Sequence, residues 1–401
     1  MERYSEYKDS GVKWLGEIPS HWEVKRLGSF FFERKEKVSD KDYAPLSVTK
    51  QGIFPQLENV AKTNDGDNRK LVKEGDFVIN SRSDRKGSSG VSGLDGSVSL
   101  INIVLQPLKV LFGPFCNYLL KSYGFIEENY RNGRGIVADL WTTRYDEMKM
   151  IKVAMPSFEE QKNISSYLDA ATSKIDKAIA MQQKMIDLLN ERKQIIIQNA
   201  VTKGLDENVE MKDSGVEWIG MIPKHWKIIR IKHLAKLQSG SNLTSNEISD
   251  TGSYPVYGGN GLRGFYGSYN CEGSHVLIGR QGALCGNINY AEDKFWATEH
   301  AVVCYPKKKY NTLWFGEILR LMNLGQYSLA SAQPGLAVER IKGLYMPYPS
   351  IEEQNKIALF LKQNIGKIDL YARHCQRQIT LLQERKQIII NEVVTGKVKV
   401  S

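Results

Sequence analysis

Side chains able to exchange paired hydrogen bonds recur on the glycine-rich stretches of this sequence. Asn80, Ser81, Arg82, Arg85 and Lys86 follow an apolar run and precede Gly-Ser-Ser-Gly at 87–90. Arg280 and Gln281 precede Gly282 after a second apolar run, and GDFVINSR at 75–82 aligns with GSHVLIGR at 273–280. A third stretch, YPVYGGNGLRGFYGSY at 254–269, interleaves Tyr257, Tyr266 and Tyr269 with Asn260 and Arg263. Arginine and lysine match the acceptors of a guanine edge, side-chain amides match adenine, and glycines let the backbone approach phosphate. This is chemistry suited to reading double-stranded DNA. Gly- and Tyr-rich loops also occur in turn-dense folds of other kinds, so composition alone leaves both readings open. Lys307, Lys308 and Lys309 read first as a solvated loop and second as a phosphate contact.

Catalytic groups are harder to find. No GxxxxGK[ST] loop occurs, and no GxGxxG opens a helix after a strand. Asn-Pro-Pro-Tyr, the motif of amino-methyltransferases, does not occur either. His21, His225, His233, His275, His300 and His374 lack metal-ligand spacing. Asp293 beside Lys294 is a pairing that metal-dependent nucleases use, and one that arises commonly by chance. The expectation is a reader with no catalytic residue, no metal and no cofactor of its own.

Composition bounds the rest. The formal charge is +10, from 55 Lys and Arg against 45 Asp and Glu, which fits an anionic partner without identifying one. With 41% apolar residues the chain can build cores, so a disordered chain is excluded. No apolar run approaches the roughly 18 residues of a membrane span, and the first ten residues are charged throughout. Five cysteines without a CxxC pair argue against a disulfide framework or a zinc site. A cytoplasmic protein with no membrane attachment is expected.

The elements that must position these loops come in duplicate. KDSGVKWLGEIPSHWEVKRL at 8–27 returns as KDSGVEWIGMIPKHWKIIRI at 212–231, an offset of 204. PSFEEQKNI at 156–164 returns as PSIEEQNKI at 349–357, and LLNERKQIII at 188–197 as LLQERKQIII at 381–390, both at an offset of 193. The chain is a tandem duplication of a unit near 200 residues, with preserved edges around divergent interiors. Short apolar runs (LVKEGDFVI, VSLINIVLQ, SHVLIG, HAVVCY) predict strands, while LWTTRYDEM and NTLWFGEILRLM predict short helices, so each interior is a mixed α+β domain. Trp14, Trp22, Trp218 and Trp226 recur with the edges and read as packing anchors.

Residues 157–203 predict one long helix, opened by a Ser157–Glu160 capping box that is repeated as Ser350–Glu353. Apolar residues at alternating steps of four and three give a heptad-type seam through Ile164, Leu168, Ile175, Met185, Leu189 and Ile196. The second copy runs through Ile357, Leu361, Ile368, Leu382 and Ile389, with drift near Ile379 and Leu381. Gly204 and Gly396 mark the ends. A helix of this size spans roughly 65–70 Å, too long for one small domain. The expected fold is two mixed domains separated by two long antiparallel helices forming a coiled coil, with pseudo-twofold symmetry. An intermolecular coiled coil is the alternative. The division reads as residues 1–155 (repeated segment 7–27), helix 156–206, residues 207–348 (repeated segment 211–231) and helix 349–401.

This combination resembles, over essentially the whole chain, the specificity subunit of type I restriction-modification systems. The resemblance rests on the paired KDSGVxWxGxIPxHW segments, the PSxEEQ starts, the ERKQIII helix ends and the two unlike interiors. It implies that each interior is a target recognition domain reading one half of an asymmetric bipartite DNA site. It further implies that the helices are the spacer and dock two methyltransferase (modification) subunits, with restriction subunits joining that core. S-adenosylmethionine would then belong to the methyltransferase partner, and ATP and Mg to the restriction partner. Two other readings stand beside it: the recognition chain of a related system with a combined methylase and nuclease partner, and a coiled-coil scaffold that does not bind DNA.

Overall fold

The computed structural model describes residues 2–57, 66–135, 141–282, 284–328 and 335–400. Two compact units emerge, Met1–Gln183 with Arg377–Ser401, and Lys184–Gln376. The long helix Phe158–Lys203 gives its first part to unit 1 and the remainder to unit 2, and the long helix Ile351–Val394 does the reverse.

In unit 1 the repeated edge folds as a ribbon, Tyr7–Asp9 against Glu17–Pro19. Glu23–Arg26 then pairs with Lys152–Met155, bringing the two ends of the interior together beside the long helix. Between them lies an antiparallel sheet in the order Ser89–Val91, Phe77–Asn80, Asn102–Pro107, Phe31–Glu33. Its two central strands are apolar on consecutive residues because both their faces are covered. Phe77, Ile79, Ile103 and Leu105 face the helical side, while Val78 and Val104 face Leu46, Val72 and Val98. A second sheet, Gly96–Val98, Arg69–Val72 and Lys37–Val38, completes the unit with the hairpin Leu46–Val48/Ile53–Pro55.

Unit 2 repeats the scaffold. Met211–Asp213 pairs with Met221–Pro223 in the same register, Met211 opposite Pro223 as Tyr7 is opposite Pro19. Lys227–Arg230 pairs with Tyr345–Tyr348. The four-stranded sheet runs Ile288–Ala291, His275–Gly279, Ala301–Pro306, Ala235–Ser239, the order found in unit 1. The second sheet differs: Gly261–Tyr266, Tyr254–Gly258, Lys294–Ala297 and Cys271–Glu272, including one parallel pair, Val256 opposite Trp296.

Two expected strands are each two. LVKEGDFVI breaks at Gly75, whose φ of 89° makes the turn, and VSLINIVLQ divides into strands ending at Val98 and starting at Asn102. Of LWTTRYDEM, only Tyr145–Met148 is helical, and Leu140 lies outside the described residues. NTLWFGEILRLM forms Thr312–Leu321, capped by the Asn311 side chain.

The long helices pack together, and the repeat itself supplies their ion pairs. Asp176 meets Lys386 at 2.7 Å in unit 1, and Lys193 meets Asp369 at 2.8 Å in unit 2. Shifted by 193, one pair becomes the other. Ile164, Leu168, Ile175, Ile357, Leu361, Ile368 and Ile389 are buried, while Leu189, Ile196 and Leu382 are half-buried. Met185 is 49% exposed, and its neighbour Ile186 is half-buried. Part of the buried face is polar: Ser165 and Thr172 are buried, the Ser165 hydroxyl donates to the Gln161 carbonyl at 2.7 Å, and the Thr172 hydroxyl lies 3.3 Å from the Tyr118 hydroxyl of the same unit. A hydroxyl bonded back to its own helix can be buried at little cost, which a seam drawn through apolar residues passes over.

Each helix start is bound to its domain by two consecutive side chains. The Glu160 carboxylate accepts from the Trp22 indole N–H at 3.0 Å and from Tyr4 at 2.7 Å, with His21 Nε2 at 3.1 Å. The Gln161 amide oxygen accepts the Phe112 backbone N–H at 2.9 Å, and its N–H donates to the Pro156 carbonyl at 3.1 Å. In unit 2, Glu353 accepts from Trp226 at 3.0 Å and lies 2.8 Å from His225 Nε2. Gln354 accepts the Asn311 backbone N–H at 3.0 Å and donates to the Pro349 carbonyl at 3.0 Å. Trp22 and Trp226 are thus the buried anchors expected, with an added polar tie. Gly204 and Gly396, at φ of 78° and 74°, follow the two helix ends.

Candidate nucleic-acid interface

In unit 1 the loop residues extend from the end of a central strand. Asn80 closes Phe77–Asn80 and lies opposite Asn102 in the neighbouring strand. Its side-chain oxygen accepts the Arg82 backbone N–H at 3.1 Å, and the Ser81 hydroxyl donates to the Ile101 carbonyl at 2.5 Å. These ties hold the turn that projects Arg82 and Arg85, both exposed. Arg85 lies 3.6 Å from Asp84. Lys86 is engaged elsewhere: it donates to Glu127 at 2.7 Å and sits 4.4 Å over the Tyr130 ring. Asn80, Arg82 and Arg85 therefore share a surface from which Lys86 turns away.

That surface is a groove of about 690 Å³, whose lining also includes Thr49, Gln51, Gln56, Arg69 and Asn102. Arg69 is buried and donates to the Ser97 hydroxyl at 2.8 Å. Asn102 is 5% exposed, and its amide donates to Ser99 while its oxygen has no hydrogen bond. A buried acceptor without a donor costs free energy unless a ligand or water completes it. Sequence reading missed Asn102 because a single Asn within an apolar strand carries no local signal; its register opposite Asn80 is the relevant fact.

In unit 2 the corresponding strand end gathers Asn260, Arg280 and Gln281. The Arg280 backbone N–H donates to the His300 carbonyl at 2.8 Å, and Asn287 reaches the Asn260 side-chain oxygen at 3.5 Å. The turn at Gly259 lies so close that a Cβ there would stand 3.1 Å from the Gln281 carbonyl. A side chain there would need the loop to give by a few tenths of an ångström. Arg263 is exposed and donates to Ser245 at 3.3 Å. The tyrosines divide: Tyr266 stands edge-on to Trp296 at 5.1 Å, whereas Tyr257 packs on Phe295 at 5.7 Å and belongs to the core. Burial raises the Tyr257 pKa, with Glu292 adding to the effect. Beside Arg280, the segment Thr298, Glu299 and His300 carries three polar atoms without hydrogen bonds, namely Thr298 Oγ1, Glu299 Oε2 and His300 Nδ1. So both units collect unsatisfied polar groups at the same sheet end, next to exposed arginines.

Among the described residues, no helix is long and apolar enough to cross a membrane. Nor do three or more His, Cys, Asp or Glu side chains among them converge as a metal site.

Comparison with known proteins places this arrangement. The family profile for the type I restriction modification DNA specificity domain matches residues 223–381. Over 161 residues the chain is 38% identical to the specificity subunit of type I restriction enzyme EcoprrI from Escherichia coli, covering 38% of this chain and 40% of that protein. It is 27% identical over 260 residues to the MjaVIII specificity subunit of Methanocaldococcus jannaschii, covering 61% and 57%. The match thus spans less than two thirds of either relative. A putative MjaX specificity subunit of the same organism aligns over 98% of both chains at 24% identity. Among solved structures, the HsdS subunit from Thermoanaerobacter tengcongensis shares the fold with a TM-score of 0.52 at 15% identity, over 95% of this chain and 98% of that one. A chain from a structure on complex assembly and conformational transition of the type I R-M system does so with a TM-score of 0.72 at 15% identity, over 95% and 99%. With its duplicated edges and unlike interiors, the chain is similar to type I restriction enzyme specificity subunits, and residues 223–381 match the DNA specificity domain of those systems.

Proposed function

We propose that this chain reads an asymmetric bipartite DNA site, one half-site per unit, and delivers it to two methyltransferase subunits docked on the chain, with restriction subunits joining the same core. Residues 1–155 and 207–348 are the two readers, and 156–206 and 349–401 are the spacer helices. The chain contributes no catalytic group. S-adenosylmethionine acts on the methyltransferase partner, ATP and Mg on the restriction partner, and the complex works in the cytoplasm.

One observation carries this reading. Two units share the strand order of one sheet and differ in the other, so a common scaffold presents two unlike polar surfaces. Asn80, Ser81, Arg82 and Arg85, with Asn102, form one surface, and Asn260, Arg263, Arg280 and Gln281 the other; Lys86, Tyr257 and Tyr266 support them from behind. Phosphate neutralisation supplies salt-dependent affinity, and base-edge contacts supply discrimination. Requiring both half-sites multiplies their selectivities.

The test is to assemble the full chain with its methyltransferase partners and map the adenines it methylates in genomic DNA. An asymmetric two-part sequence with a fixed gap is expected. Exchanging residues 232–348 for another interior should then rewrite one half only. If both halves change together, or none is selected, the two-reader mechanism is wrong.

A further inference from the structure

We propose that the Glu-Gln pair at each helix start, Glu160–Gln161 and Glu353–Gln354, is a positioning clamp that sets the orientation of each reader on its own helix and thereby the gap between half-sites. The proposal rests on the two-reader mechanism above and adds the residues that give it its geometry.

The two prongs grip different things. Glutamate holds the repeated edge, through Trp22 Nε1 in unit 1 and Trp226 Nε1 in unit 2, at 3.0 Å in each. Glutamine holds the divergent interior, but only by main-chain groups: the backbone N–H of Phe112 at 2.9 Å with the Val110 carbonyl at 3.2 Å in unit 1, and the backbone N–H of Asn311 at 3.0 Å in unit 2. Phe112 and Asn311 are N-caps, of the helices Gly113–Leu120 and Thr312–Leu321 that cover the shared sheet. An aromatic stands at one position and an amide at the other, yet the same main-chain group is held, at 2.9 Å and 3.0 Å. A grip on the main chain is indifferent to side-chain identity. That is the property needed by a scaffold whose interiors diverge while their placement stays constant.

The clamp residues are also where simple packing would have used hydrocarbon. Gln161 and Gln354 are 1% and 0% exposed, and Trp22 and Trp226 are 0% and 1% exposed. Buried amides stabilise no better than a well-fitted apolar side chain, but they act in one direction only and penalise every other orientation. Directional polar contacts at a buried joint thus fix an angle where an apolar contact would tolerate several.

The test uses the full chain with its methyltransferase partners and a randomised duplex pool, comparing wild type with Gln354→Met and Trp226→Phe. Gln354→Met keeps the packing shape, Trp226→Phe keeps an aromatic ring but leaves a small void, and each removes one prong. Expected is unchanged base preference in both half-sites, a spread of selected gaps from one length to its neighbours, and roughly tenfold weaker binding to the wild-type sequence. A single gap as sharp as wild type in both variants overturns the proposal. So does loss of the second half-site's base preference with the gap still single, because the residues would then act inside the reader. Should Gln354→Met fail to melt cooperatively, Trp226→Phe decides alone. If wild type selects no two-part sequence, the two-reader mechanism falls, and the clamp is decided by hydrogen exchange on the free chain. The Asn311 amide must then be protected in wild type and exchange at least about tenfold faster in Gln354→Met; equal rates overturn the clamp.

Discussion

The two helix starts make the same contact to tryptophan and complete it differently. Glu353 in unit 2 receives the Ser350 hydroxyl at 2.9 Å and the Ser350 backbone N–H at 3.2 Å, a full capping box. In unit 1 the Ser157 hydroxyl accepts the Glu160 backbone N–H at 3.3 Å, but the Glu160 carboxylate is turned to Tyr4, which precedes the repeated segment. The difference separates what the duplication preserves, the glutamate–tryptophan tie, from what each copy improvises around it. It also makes the two units unequal in ways that can be measured.

The largest expected effect is common to both. Trp22→Ala and Trp226→Ala each leave a large cavity and take one hydrogen bond from the carboxylate, and should cost about 3–5 kcal/mol, read by chemical denaturation with unit-resolved hydrogen exchange. A clear inequality between them would show that the two joints are not equivalent. Next come the helix ends. Gly204→Ala and Gly396→Ala both pay about 1 kcal/mol for a left-handed backbone. At Gly396 the added Cβ would also stand 2.8 Å from Pro19 Cγ, against 3.2 Å from the Trp226 ring at Gly204. Gly396→Ala should therefore be worse by a further ~1–3 kcal/mol; equal losses would refute the asymmetry.

Smaller effects probe the carboxylates directly. Tyr4→Phe should weaken unit 1 alone and Ser350→Ala unit 2 alone, by about 1 kcal/mol each. Burial works against the Glu353 carboxylate, but hydrogen bonds from His225, Trp226 and Ser350 outweigh it and hold its pKa below the ordinary glutamate value. A folded pKa below the unfolded one stabilises above the unfolded pKa, and that stability is lost as pH falls through the folded value. Unit 2 should thus weaken in acid below the ordinary glutamate range, and Glu353→Gln should flatten that decline in a pH series of melts. Smallest of all, Asp176→Lys should cost ~0.2–1 kcal/mol and be recovered by Lys386→Asp, since the pair is partly exposed. A double-mutant cycle without coupling would remove the ion pair from the helix register.

Much of the fold was legible because it was written twice. The edges, the long helices and the α+β interiors follow from two offsets and from periodicity. The seam was legible only in part: a heptad shows apolar residues, while the helix also buries Ser165 and Thr172 and leaves Met185 outside. The loops were located, but their members were not told apart. Asn80 and Lys86 are close in sequence, yet one lines the groove and the other is spent on Glu127.

By itself, then, the sequence determined the duplication, the family resemblance and the positions of helix starts and stops, because those are carried by local spacing and residue type. Only the tertiary structure decided that the Glu-Gln pair joins helix to domain, that Asn102 stands behind Asn80, and that Tyr257 belongs to the core. Those facts depend on which backbone groups meet across strands and helices, through contacts between residues dozens or more than a hundred positions apart, and no local pattern encodes such a meeting.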